Sequence, residues 1–142
     1  MTTHILSLTY APKIPLVKSG ECTQTIRLHN PDRPKKVGDK LILHTWAGKP
    51  YRTKWDWRLE TGISETHLLD FKGCPFDRIR PYLDGEYITF EQGSELAFLD
   101  GIAPATGWEL IATLLTLNGL AVIDGTTWDV IRWPKPTIGR VE

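Results

Sequence analysis

Short runs in which polar and apolar residues alternate, each cut off by proline or glycine, recur along the chain. Such runs bury one face of a strand and leave little room for long helices. "HILSLTY" (4–10) stops against Pro12, and "TQTIRLH" (23–29) stops against Pro31. "VGDKLILHTW" (37–46) opens on a Gly38-Asp39 turn, and "AGKPYRTKWDWRLE" (47–60) has the composition of a hairpin. "GISETHLLDF" (62–71), "EYITF" (86–90) and "TWDVIRW" (127–133) complete the predicted strands. One longer segment repeats at helical spacing. Over 107–118, Trp108, Ile111, Leu114 and Leu115 form an apolar stripe, and Thr106 with Glu109 matches a capping box. Asn118-Gly119 closes it. "PKIPLVKSG" (12–20) reads as a short amphipathic turn of helix, with Ile14 and Val17 inward, Lys13 and Lys18 outward, and Gly20 as its left-handed stop. "SELAFLDG" (94–101) adds one or two helical turns. The sum is an α+β domain on a small sheet of about six strands, which either closes on itself or stays open.

A chain of 142 residues suits one domain with one core, and 24% charged residues is an ordinary globular content. No apolar run approaches the roughly 20 residues of a membrane helix. "MTTHILSLTY" lacks the basic start and apolar core of a signal peptide, so the cytoplasm is the expected compartment, with no membrane partner. Cys22 and Cys74 are too few for a disulfide scaffold or a zinc cage. The four histidines (4, 29, 44, 67) show no metal-ligand spacing, and no phosphate loop, dinucleotide fingerprint or nucleophile elbow is present. Neither metal nor cofactor is expected.

The net charge is zero, but it is unevenly spread. Residues 27–58 hold nine Lys/Arg against three Asp, a surplus of +6, while 59–128 hold three basic against eleven acidic residues, or −8. Either the basic part meets a polyanion, or folding interleaves the two and their fields cancel. Within the basic part, Trp46, Tyr51, Trp55 and Trp57 alternate with Lys49, Arg52, Lys54 and Arg58. Aromatic faces stack on splayed bases and cations meet phosphates, so this pattern fits single-stranded nucleic acid; it equally fits a hairpin whose Trp side chains are buried.

A second feature is "GECTQTIR" (20–27). In an extended strand Thr23, Thr25 and Arg27 share one face, and Gln24, Ile26 and Leu28 share the other. Ile26 and Leu28 are the expected core residues. The hydroxyls and the guanidinium are then free to hold an anion or a carbonyl oxygen in a cleft.

"VKSGECTQTIRL", "KKVGDKLILHTW", "LAFLDGIAPATGWELIATLLTLNGL" and "TWDVIRW", in that order, resemble the ASCH domain of the PUA-like superfamily, over about residues 5 to 133. The resemblance implies a PUA-like β-barrel of about six strands with a main helix near 107–118 and short helical segments near 12–19 and 94–100. One domain over 1–142 is expected from the length, with 134–142, which shows no periodicity, a loosely ordered tail. The resemblance also implies a cleft beside the 20–27 corner for RNA, single-stranded nucleic acid or a nucleotide; with the basic and aromatic pattern above, the expected binding residues are Thr23, Thr25, Arg27, Lys35, Lys36, His44, Trp46, Lys49, Tyr51, Arg52 and Lys54. Some relatives are amidohydrolases that deacetylate N-acetylated cytidine with a lysine, a threonine and a glutamate. Their threonine matches Thr25 and their acid falls near Asp100, a shorter side chain. Their lysine falls on Cys22, which has no fixed positive charge. Amide hydrolysis through Thr25 and Asp100 is therefore the alternative expectation, and a protein-interaction module the second.

Overall fold

The structure is a computed structural model that describes residues 2–72, 80–102, 107–120 and 125–135, without the side chains of Arg80, Phe90 and Trp108. Cys74, the Thr106 cap, the Trp108 side chain and most of the 134–142 tail lie outside the described residues. The elements run β1 (Thr3–Ser7), a 3-10 turn (Ala11–Lys13), α1 (Ile14–Ser19), β2 (Gln24–Leu28), β3 (Lys40–Trp46), β4 (Trp55–Gly62) and β5 (Glu65–Lys72). They continue with β6 (Arg80–Leu83), β7 (Glu86–Tyr87), α2 (Phe90–Leu99), α3 (Gly107–Asn118) and β8 (Thr127–Arg132). No helix among the described residues is long and apolar enough to cross a membrane.

The strands form two sheets, ordered β1-β3-β4 and β2-β8-β5-β6-β7. The β1–β3 pair is parallel and the others are antiparallel. The second sheet lies in the middle of the molecule. Its Ile26, Leu69, Phe71, Trp128 and Val130 pack on Leu96 and Ala97 of α2 and on Leu110 and Leu114 of α3. On its other face Ile131 joins Leu41 and Leu43 of the first sheet, Val17 of α1 and Trp133. β8 is accordingly buried on both faces from Trp128 to Ile131, Asp129 included.

The expected PUA-like barrel is not seen: among the described residues no ladder closes the two sheets on one another. They are joined instead by the short β4–β5 corner, where Ser64 N–H donates to Arg132 O at 2.9 Å. Side chains bridge the opposite seam. Arg27 on β2 donates to Ser7 O at 2.5 Å, and Arg33 donates to Thr3 O at 3.2 Å, both on the free edge of β1.

Three further expectations need correction. Leu28, placed in the core, is 44% exposed, because β2 is an edge strand and its last residue lies beyond the helices. "EYITF" yields only a two-residue strand, since Thr89 caps α2 instead. The Thr89 hydroxyl accepts from Gln92 N–H at 3.2 Å, and the Gln92 side chain accepts from Thr89 N–H at 2.8 Å. That box lengthens the expected 94–100 helix to ten residues despite Gly93. Finally, Lys13 does not face water. The 3-10 turn before α1 rotates it inward, and it is 5% exposed.

Candidate functional site

Gly20 ends α1 with φ of +85°, as its position in the sequence suggests, and turns the chain into β2. This sets Thr25 and Arg27 beside the end of β1 and the 3-10 turn. At the C-terminal end of α2, Gly101 has φ of +76° and turns the chain directly after Asp100. A Cβ on Gly101 would stand 3.3 Å from Cγ of Lys13, a tight contact at a left-handed position, so glycine suits both the turn and the lysine stem. Two glycines from distant parts of the sequence thus bring Lys13, Thr25, Arg27 and Asp100 together.

These four residues line one cavity of about 70 Å³, walled also by Leu8, Tyr10 and Thr113, Leu114, Leu117 and Asn118 of α3. Lys13 Nζ pairs with Asp100 Oδ1 at 3.1 Å. Arg27 Nε donates to Thr25 Oγ1 at 3.1 Å. Thr25 is 2% exposed and Asp100 6%. Burial pushes the Asp100 carboxyl above the usual carboxylate range, against the opposing pull of Lys13 and Arg27. Burial also lowers the Arg27 pKa, with Asp100 and Tyr51 near enough to oppose the loss. A guanidinium stays charged under such a shift.

The arrangement presents a hydroxyl oriented by a guanidinium, an ammonium, and a carboxyl poised to exchange a proton. Such a set can polarise a carbonyl and support addition to it. Thr25, Arg27 and Asp100 were legible as candidates in the sequence. Lys13 was not, because its amphipathic phase placed it in solvent. Its signal was indirect: a lysine between Pro12 and Ile14-Pro15 needs an acid if the turn is buried, and "LDG" supplies one.

Cys22 is buried, and its thiol donates to Gln24 O at 3.4 Å and Leu99 O at 3.3 Å. Burial raises its pKa, so it stays a thiol and makes a poor nucleophile. Thr23 is half-buried and its carbonyl accepts from Trp133 N–H at 3.1 Å.

The remaining candidates divide into three groups. Lys35 is spent on an ion pair with Asp129 at 3.8 Å, beside His29 at 2.9 Å. His44 is buried, stacked on Trp55 with ring centroids 3.8 Å apart and edge-on to Trp46 at 4.9 Å. Burial, then the charge of Arg27, lowers its pKa. Lys36, Lys49, Arg52 and Lys54 are exposed. Tyr51 is 85% exposed at the tip of the β3–β4 hairpin, with φ of +63° and its ring 5.1 Å from that of Trp46. The hairpin therefore offers an aromatic and basic tip.

Among the described residues no group of His, Cys, Asp and Glu side chains is arranged to hold a metal ion. No protein-family model, no curated protein and no solved structure matches the chain.

Proposed function

We propose that the chain is an ASCH-type, PUA-like module whose cavity hydrolyses an amide on a small nucleoside-like compound of the N-acetylated cytidine class. One observation carries this reading: Lys13, Thr25, Arg27 and Asp100 converge on a single cavity, with the Lys13–Asp100 pair almost wholly removed from water. A buried ion pair is a poor way to stabilise a fold, since apolar residues of similar volume do at least as well. Lys13 also supplies the cation that position 22 lacks.

In this reaction the Thr25 oxygen adds to the amide carbonyl carbon while Asp100 takes the hydroxyl proton. Lys13 and Arg27 stabilise the negative charge that develops on the carbonyl oxygen. The carbon–nitrogen bond then breaks as Asp100 returns the proton to the departing nitrogen, leaving an acyl ester on Thr25. Water adds to the ester carbonyl and passes a proton to Asp100. Collapse releases the carboxylic acid and restores the threonine hydroxyl with that proton. The test is release of acetate from N4-acetylcytidine, followed by proton NMR. Turnover that disappears in Thr25→Ala is the expected result; no acetate release from any acetylated nucleoside would refute the reaction.

The hairpin tip favours a second reading, in which the module binds single-stranded nucleic acid. Tyr51 holds a left-handed backbone conformation that costs a non-glycine residue about 1–2 kcal/mol, yet its side chain is exposed, in a hairpin tip whose sequence carries Lys49, Arg52 and Lys54. Binding of a labelled single-stranded RNA should weaken steeply with salt and fall on Tyr51→Ala. Absence of binding at low salt across several sequences would dismiss it.

A further inference from the structure

Asp100 is the only carboxylate among the residues that line the cavity, and its side chain is 9% exposed. A carboxylate has several lone-pair directions and, when ionised, no donor of its own, so burial is costly unless those directions are filled. Here no described residue donates a hydrogen bond to it. Oδ1 is cut off from solvent without a hydrogen-bond partner, and Lys13 Nζ, 3.1 Å away, is an ion-pair neighbour outside hydrogen-bond geometry.

The cations of the cavity, by contrast, have donors to spare. Arg27 commits Nε–H to Thr25 and one Nη2–H to Ser7 O, and its other N–H groups have no partner among the described residues. A ligand that answers this set presents an acceptor to the cations and a donor to the carboxylate. A secondary amide does both, because its C=O and N–H lie on opposite sides of one planar unit. A tertiary amide offers the acceptor alone. It would leave Asp100 as bare as before, and a buried charged group left unsatisfied costs more than a neutral one.

We propose that the Asp100 carboxylate accepts the N–H of the bound amide, so that the cavity selects amides with a hydrogen on nitrogen over tertiary ones. The inference rests on the proposed reaction only in taking the ligand to be an amide. It gives Asp100 a task before any bond is made. One contact orients the amide plane against the Thr25 oxygen and sets the acid beside the nitrogen to which it later returns the proton.

The probes are N4-acetylcytidine and N4-acetyl-N4-methylcytidine, in which a methyl group replaces the N–H. Each is titrated into the full chain carrying Thr25→Ala, so that neither is consumed, and affinity is read from amide proton–nitrogen shifts. The compound with the N–H should bind about ten- to a hundredfold more tightly, the range for one hydrogen bond to a charged group. Adding Asp100→Leu should shrink that ratio about tenfold or more. The methyl group has the same bulk in every variant, so the change in the ratio reports the hydrogen bond. Adding Lys13→Met/Asp100→Leu instead repeats the measurement without an unpaired buried ammonium, and decides the matter if Asp100→Leu alone does not fold. A ratio unchanged by loss of the carboxylate overturns the proposal, as does failure of both compounds to bind. N–H selectivity without acetate release from the wild type would remove the reaction and keep the contact; acetate release with equal affinities would do the reverse.

Discussion

Replacing Lys13 by Met tests whether the buried pair holds the fold together or burdens it. The two side chains are 6% and 9% exposed, and 3.1 Å separates Nζ from Oδ1. Lys13→Met leaves Asp100 buried without its main partner. Breaking a buried pair in this way costs about 3–5 kcal/mol. The charge of Arg27 still acts on the carboxylate, which puts the expected loss near the lower end, about 3 kcal/mol. For a chain of this length that is a fall in Tm of roughly 10 °C. Urea unfolding at pH 7, with a constant m-value, measures it directly. The double variant Lys13→Met/Asp100→Leu removes both charges and should recover most of the loss, or exceed the wild type. The penalty in Lys13→Met should also shrink as the pH is lowered through the raised Asp100 pKa, since protonation removes the unpaired charge. A single variant within about 1 kcal/mol of the wild type would refute the reasoning, as would a double variant no better than the single one.

Gly101→Ala should cost more than Gly119→Ala. Both have positive φ, worth about 1–2 kcal/mol to an alanine, but only at Gly101 does the new Cβ press on Lys13; equal losses in paired thermal melts would count against the close fit. Thr89→Ala should lose about 1 kcal/mol in urea unfolding with the capping box, and a neutral result would mean that α2 is held by packing alone. His44 gives a pH signature. Its pKa is lowered by burial from an ordinary 6.5, so the unfolded chain binds the proton more readily, and stability falls as the pH drops below that value. His44→Phe keeps a ring against Trp55 and should flatten the stability profile between pH 7 and 5; an unchanged slope would show that another group sets it.

The strands set off by turn residues were legible in the sequence. β3, β5 and β8 fall close to their expected places because apolar, β-branched and aromatic residues cluster there between glycine and proline stops. The segment over 107–118 was equally plain. Layering was hidden. Gln24 and Thr25 lie on opposite faces of β2 and are both buried, which no binary pattern on that strand announces. α2 was obscured because "EYITF" carries strand-forming residues while Thr89 and Gln92 spell a cap. At the site, the polar face of "GECTQTIR" pointed to Thr25 and Arg27. Their partners come from a 3-10 turn and a helix end, where the phase of a side chain depends on tertiary packing that local spacing does not encode.

The two arginine contacts on the outer side of β1 have a consequence for the molecule in company. An unpaired strand margin is a template on which a neighbouring molecule can add its own strand, the first step of many aggregates. Arg33 and Arg27 occupy the carbonyls of Thr3 and Ser7 there, so an incoming strand meets bulky cations where it needs free acceptors. The guanidinium that borders the cavity thereby also protects the chain from self-association.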